Sequence, residues 1–90
     1  MKRVHRVTGT VRAYFISDET DLDRLVKIGR EVIDETIEYY GSLDSISVVL
    51  SSVSDVADVP ATDRGKYVFA RSDEYVEDTD ITVEDAIRDA

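Results

Sequence analysis

Ninety residues, no cysteine and a net charge of −9 describe a small chain that hides only about 60–68% of its unfolded surface on folding. Disulfides, thiolate metal sites and cysteine nucleophiles are excluded. No apolar run reaches the roughly 18 residues that cross a bilayer, and the N-terminus lacks the apolar stretch of a signal peptide, so one soluble, cytoplasmic domain over 1–90 is expected.

Residues 3–16 read as a strand of period two. Val7, Gly9, Val11, Ala13 and Phe15 alternate with Arg6, Thr8, Thr10, Arg12 and Tyr14. Gly9 between two threonines marks a bulge or a close backbone approach. The segment "TDLDRLVKIGREVIDETIEYYG" follows as a long helix. Thr20 is its expected cap and Asp23 completes a box-like start. Leu22, Leu25, Val26, Gly29, Val32, Ile33, Thr36, Ile37 and Tyr40 form one stripe, and Gly41 is the stop. Gly29 inside that stripe would let a strand approach closely.

"SISVVLSSV" (45–53) is a second strand, with Ile46, Val48 and Leu50 on one face and Val49 and Val53 on the other. "SDVADVPATDRG" reads as a loop. "KYVFARS" (66–72) is a third strand, with Val68 and Ala70 facing one way and Tyr67, Phe69 and Arg71 the other. The acidic "DEYVEDTD" leads to a short helix from Thr82, in which Val83, Ala86, Ile87 and Ala90 share a face.

The order β-α-β-β-α predicts an α+β two-layer sandwich, with the long helix packed on a small, mostly antiparallel sheet. It is a ferredoxin-like variant lacking the last strand, and that fold would put the third strand between the first two. The second and third strands are apolar on both faces, and one long helix covers one face. The other face therefore needs cover, in part from the short helix and in part from a second copy of the chain. A homodimer is expected, formed through Tyr14, Val49, Tyr67 and Phe69 or through sheet edges.

The charge pattern is uneven. Residues 1–17 carry Lys2, Arg3, Arg6 and Arg12 and no carboxylate, while the remainder holds 7 basic and 20 acidic residues. Arg3, Arg6, Arg12 and Tyr14 thus offer cations and a stacking ring for an anion or a single-stranded nucleic acid. The composition disfavours that use. Thirteen Asp, only three Lys and many Val suit concentrated salt, where the Debye length falls to about 3 Å at 1 M. Four phosphate contacts would lose on the order of 10⁴-fold in affinity between about 0.15 M and about 3 M salt. Pairing of these arginines with the chain's own aspartates is the favoured reading.

Other chemistry is sparse. Glu31, Asp34, Glu35 and Glu38 lie at i, i+3, i+4 and i+7, the spacing of a possible Mg²⁺ or Ca²⁺ site, but a carboxylate-covered helix face is what salt adaptation alone selects. His5, the single histidine, stands among cations. Asp55, Asp58 and Asp63 fit ordinary turn chemistry. No phosphate-cradling loop, nucleophile elbow or zinc pattern is present, and no cofactor is implied.

In element order, "EYYGSLDSISVVL", "RGKYVFAR" and "AIRDA" are similar to the central stretch of an RNA recognition motif, over about half the chain. That resemblance implies rings at the third and fifth positions of the Arg-Gly strand. Counted from Arg64, those positions hold Lys66 and Val68, with Tyr67 and Phe69 one step out and so on the opposite face. The expected function is therefore a non-enzymatic, self-associating module that binds another macromolecule, with nucleic-acid binding through the first strand as the alternative.

Overall fold

The computed structural model describes residues 2–9, 11–36, 47–71 and 75–90. Its elements are β1 (Arg3–Thr8), β2 (Arg12–Ser17), α1 (Leu22–Thr36), β3 (Val49–Val53), β4 (Tyr67–Arg71), β5 (Val76–Thr82) and α2 (Val83–Asp89). Two single 3-10 turns, Val56–Asp58 and Ala61–Asp63, lie between β3 and β4. The result is a compact α+β globule with a five-stranded mixed sheet and two helices.

The segment read as one strand is a hairpin. β1 and β2 pair antiparallel, with Val7 opposite Ala13 and Thr8 opposite Arg12, and Gly9 serves the turn, its N–H donating to the Val11 carbonyl at 3.1 Å. Three residues separate the last paired positions, so odd-numbered side chains on both arms face the same side. The period-two alternation therefore runs through the turn without a break.

The strand order is β3-β1-β2-β4-β5, antiparallel throughout except for β2 with β4. The expected β-α-β-β-α order is thus β-β-α-β-β-β-α. The hairpin lies between the two later strands, where a ferredoxin-like order would place the last of them between the others.

On one face, α1 buries Leu25, Ile28, Gly29, Val32 and Ile33 against Val7, Ala13 and Phe15. Its cap is Asp21, whose carboxylate accepts the Arg24 N–H at 3.2 Å, one residue after the expected Thr20. Leu22 is exposed and Ile28 joins the stripe in its place. The close approach at Gly29 is present: a Cβ there would stand 2.9 Å from Val7 Cγ2. The expected Ile37, Tyr40, Gly41 and Ile46 lie outside the described residues.

The opposite face, expected to need cover in part from the short helix and in part from a second copy, is covered for the most part within the chain. Val4, Tyr14, Val53 and Val68 are covered by Val83, Ala86 and Ile87 of α2, together with Val56 and Val59 from the segment read as a plain loop. The arrangement has three layers, with the sheet in the middle. α2 starts where expected, Thr82 Oγ1 accepting the Asp85 N–H at 3.2 Å. The N–H groups of Val83 and Glu84 donate to the Lys66 and Arg64 carbonyls at 2.8 and 3.2 Å, which employs donors that a helix start leaves open.

β5 was hidden in an acidic run for a geometric reason. The β4–β5 ladder slips between Tyr67 and Phe69, so the half-buried residues Val76, Thr79 and Thr82 fall three apart. Thr79 Oγ1 then donates to the Val68 carbonyl at 2.7 Å. Among the described residues, no helix is long and apolar enough to cross a membrane.

Candidate functional site

Two polar neighbourhoods flank the central hairpin, one on each face. The first is centred on Asp63, which closes the second 3-10 turn and is 1% exposed. Its Oδ2 accepts hydrogen bonds from Arg12 Nε and Tyr14 Oη, each at 2.7 Å. Its Oδ1 lies 3.2 Å from Lys66 Nζ. Burial alone would raise the Asp63 pKa, but the bonds from Arg12, Tyr14 and Lys66 outweigh it and hold the group at about 2, from an ordinary 3.8. Burial also raises the Tyr14 pKa, with the bond to Asp63 adding to it, so the phenol remains a donor.

This network uses two of the residues expected to contact an anion. Arg12 is paired to Asp63, and Tyr14, 1% exposed, lies beneath the segment that carries it. Arg6 donates from Nε to Ser51 Oγ at 3.3 Å and from Nη1 to the Asp58 carbonyl at 3.0 Å. Of the four, Arg3 alone is without a hydrogen bond or ion pair among the described residues. The network was not legible as such, since Asp63 reads as one of three loop aspartates. The available signal was Tyr14 and Arg12 alternating onto one side of a strand, where buried polar tips need an acceptor.

The expected interface residues do not share a face. Tyr14 is buried by the chain itself and so is not available to a second copy. Phe69 packs half-buried on the α1 side. Val49 and Tyr67 are exposed, at 68% and 61%. Val49 lies on β3, opposite Thr8 of β1. Of the carboxylates on α1, Glu31 pairs with Arg71 at 3.1 Å, and Glu38 lies outside the described residues. No group of three His, Asp or Glu residues suited to an ion occurs among the described residues.

The second neighbourhood is a cleft of about 340 Å³ on the α1 face, at the end of the sheet where β1 begins and β2 ends. His5 forms part of its wall, 3% exposed and stacked on Phe15 with ring centroids 5.1 Å apart. Burial lowers its pKa from 6.5, against the opposing effect of a hydrogen bond to the Ser17 backbone and with a small push from Arg3. The ring is neutral at pH 7. Its Nε2 is buried and has no partner, an omission that costs about 1–3 kcal/mol. Arg3, Asp18, Thr20 and Ser52 stand round the same cleft, and none of these side chains has a hydrogen bond or ion pair among the described residues. Sequence reasoning missed His5 because it read as one side chain among cations, whereas strand pairing to both β2 and β3 buries it.

The sheet also has two unlike edges. β3 (VLSSV) carries no charge and no proline. β5 (VEDTDIT) carries Glu77, Asp78 and Asp80, all exposed. Comparison with protein-family models, curated proteins and solved structures finds no match.

Proposed function

We propose that this chain is a non-catalytic binding module of a salt-rich cytosol that self-associates by pairing β3 with β3 of a second copy. The observation that carries this reading is the contrast between the edges. Natural sheets protect their edges with charge, proline or bulges; β5 has three carboxylates and a slipped ladder, and β3 has none of these. Two β5 edges would set carboxylates against each other, which repels. Two β3 edges would meet as serines and valines, with Val49 of each copy removed from water.

Salt sets the conditions. Each copy carries −9, so association is opposed in dilute buffer and released when the Debye length falls to about 3 Å near 1 M. Sedimentation equilibrium in about 2 M KCl tests the reading directly, under conditions where that screening is complete. Two-chain mass is expected for the wild type and one-chain mass for Val49→Lys, which places a cation on the open edge without touching the core. A wild type that sediments as a single chain at high protein concentration in this salt would refute it.

A further inference from the structure

His5 is enclosed from several sides at once. On β2, Phe15 stands opposite it and stacks on its ring. On β3, Ser52 stands opposite it on the other flank. Leu25 of α1 and residues 18–20 close the same space. The Nε2 atom is out of reach of water and has no partner. A neutral imidazole tolerates this at the cost of one unmade bond. An imidazolium adds a second N–H and a full charge, and neither stays buried without a partner.

A proton therefore reaches Nε2 when one of these sides opens. Phe15 is fully buried in the core beneath α1, and moving the helix would uncover that core. Glu19 is fastened on both sides, its N–H donating to Ser17 Oγ and its Oε1 accepting the Asp21 N–H, each at 3.0 Å. The remaining side is β3, an edge strand with one neighbour, β1. Local opening draws on segments with few buried apolar contacts, and Val53 is the one fully buried residue of β3.

We propose that His5 is an acid-sensitive latch for β3, in which protonation of the ring is coupled to release of this strand from β1. The charged groups round the ring act in both directions: Arg3 on β1 opposes the proton, whereas Asp18 and Glu19 favour it once the ring is wet. β2, β3 and α1 present Phe15, Ser52 and Leu25 to the same space, and none of these ionises. Burial holds the closed ring below 6.5, and the open ring takes its proton near that value. The opening constant of β3 thus rises by up to about tenfold for each pH unit below 6.5, until the closed ring is itself protonated. The latch belongs to the single chain and stands whether or not two copies pair.

Native-state amide hydrogen exchange, followed by nuclear magnetic resonance on the dilute single chain in about 2 M KCl, reads this constant residue by residue once corrected for the intrinsic pH dependence of exchange. The β3 amides bonded to β1 should be less protected than the β4 amides bonded to β2, showing an opening of their own. Their protection should fall by about tenfold or more between pH 7.5 and pH 5. In His5→Phe or His5→Leu, β3 should keep its separate opening and lose this acid dependence. The proposal is overturned by β3 amides as protected as those of β4, by a β3 opening that does not respond to acid, or by the same fall in a folded variant without the imidazole. The first two results are read on the wild type alone.

Discussion

The two faces of this sheet are held by different means. On the α2 face, a buried carboxylate is held by two donors from β2, Arg12 and Tyr14, and by the nearby Lys66, and so ties a loop to the central strand. On the α1 face, a helix lies against aliphatic side chains, brought in by a glycine, and its one buried polar ring is left with an unmet nitrogen. The first arrangement is saturated and therefore structural. The second leaves a demand unmet. Burial of a polar group does not by itself mark function; burial without a partner is the more telling sign.

The largest effect that would break this contrast is on the α2 face. Asp63→Ala removes the acceptor of a buried phenol and of two cations. Arg12 and Lys66 are half exposed and turn to water, but Tyr14 is stranded, so a loss of about 3 kcal/mol is expected. By thermal unfolding that is a drop of roughly 12–24 °C. Acid tests the same group. Asp63 ionises at about 2 when folded and 3.8 otherwise, so its contribution is complete above about pH 4 and disappears as the pH falls through 2. Asp63→Ala should flatten the acid limb of the stability curve in that window; an unchanged limb would show that the network contributes little.

Next in size is Gly29→Val on the α1 face. Its Cβ alone would stand 2.9 Å from Val7 Cγ2 and 3.3 Å from Val7 Cβ, and Val7 is fully buried. Overpacking of this kind costs about 1–3 kcal/mol, measurable by urea unfolding. A Gly29→Val chain as stable as the wild type would mean that helix and strand are not in close contact there.

The smallest effect has the opposite sign. His5→Phe removes the orphaned nitrogen while keeping a ring against Phe15, and should raise stability by up to about 1 kcal/mol at pH 7. His5 is depressed below 6.5 in the folded chain, so the neutral ring costs nothing extra above that pH. As the pH falls below 6.5 the unfolded chain gains the proton first, and stability declines until the folded pKa is passed. The advantage of Phe should therefore widen below pH 6.5. A constant difference across that range would mean that His5 is not held neutral.

Much of the fold was legible. The Leu25, Gly29, Val32 and Ile33 part of the α1 stripe and the facing of Leu50, Val53, Val68 and Phe69 follow from periodicity, because each side chain meets one neighbour layer at regular spacing, and the Thr82 cap of α2 follows from its side-chain chemistry. What was hidden had regular causes too. The hairpin turn preserved parity, the slipped ladder gave β5 a period of three, and Val56 and Val59 cover the second face from a segment whose Asp, Ser and Pro content suggests only turns. Of the site residues, the pairing of Arg12 with an aspartate of the same chain was anticipated in kind, but the identity of that aspartate depends on a contact 51 positions away in sequence.

The single parallel pair has a kinetic consequence. β2 and β4 meet with Phe15 beside Phe69, and the same seam is crossed by the Arg12–Asp63 bond, so the middle of the sheet cannot zip outward from a nearby turn. Closing so long a span loses chain entropy before any contact repays it. Refolding should therefore wait on two distant pairings, β3 with β1 and β4 with β2, with the β1–β2 hairpin and α1 formed early and idle until those strands arrive.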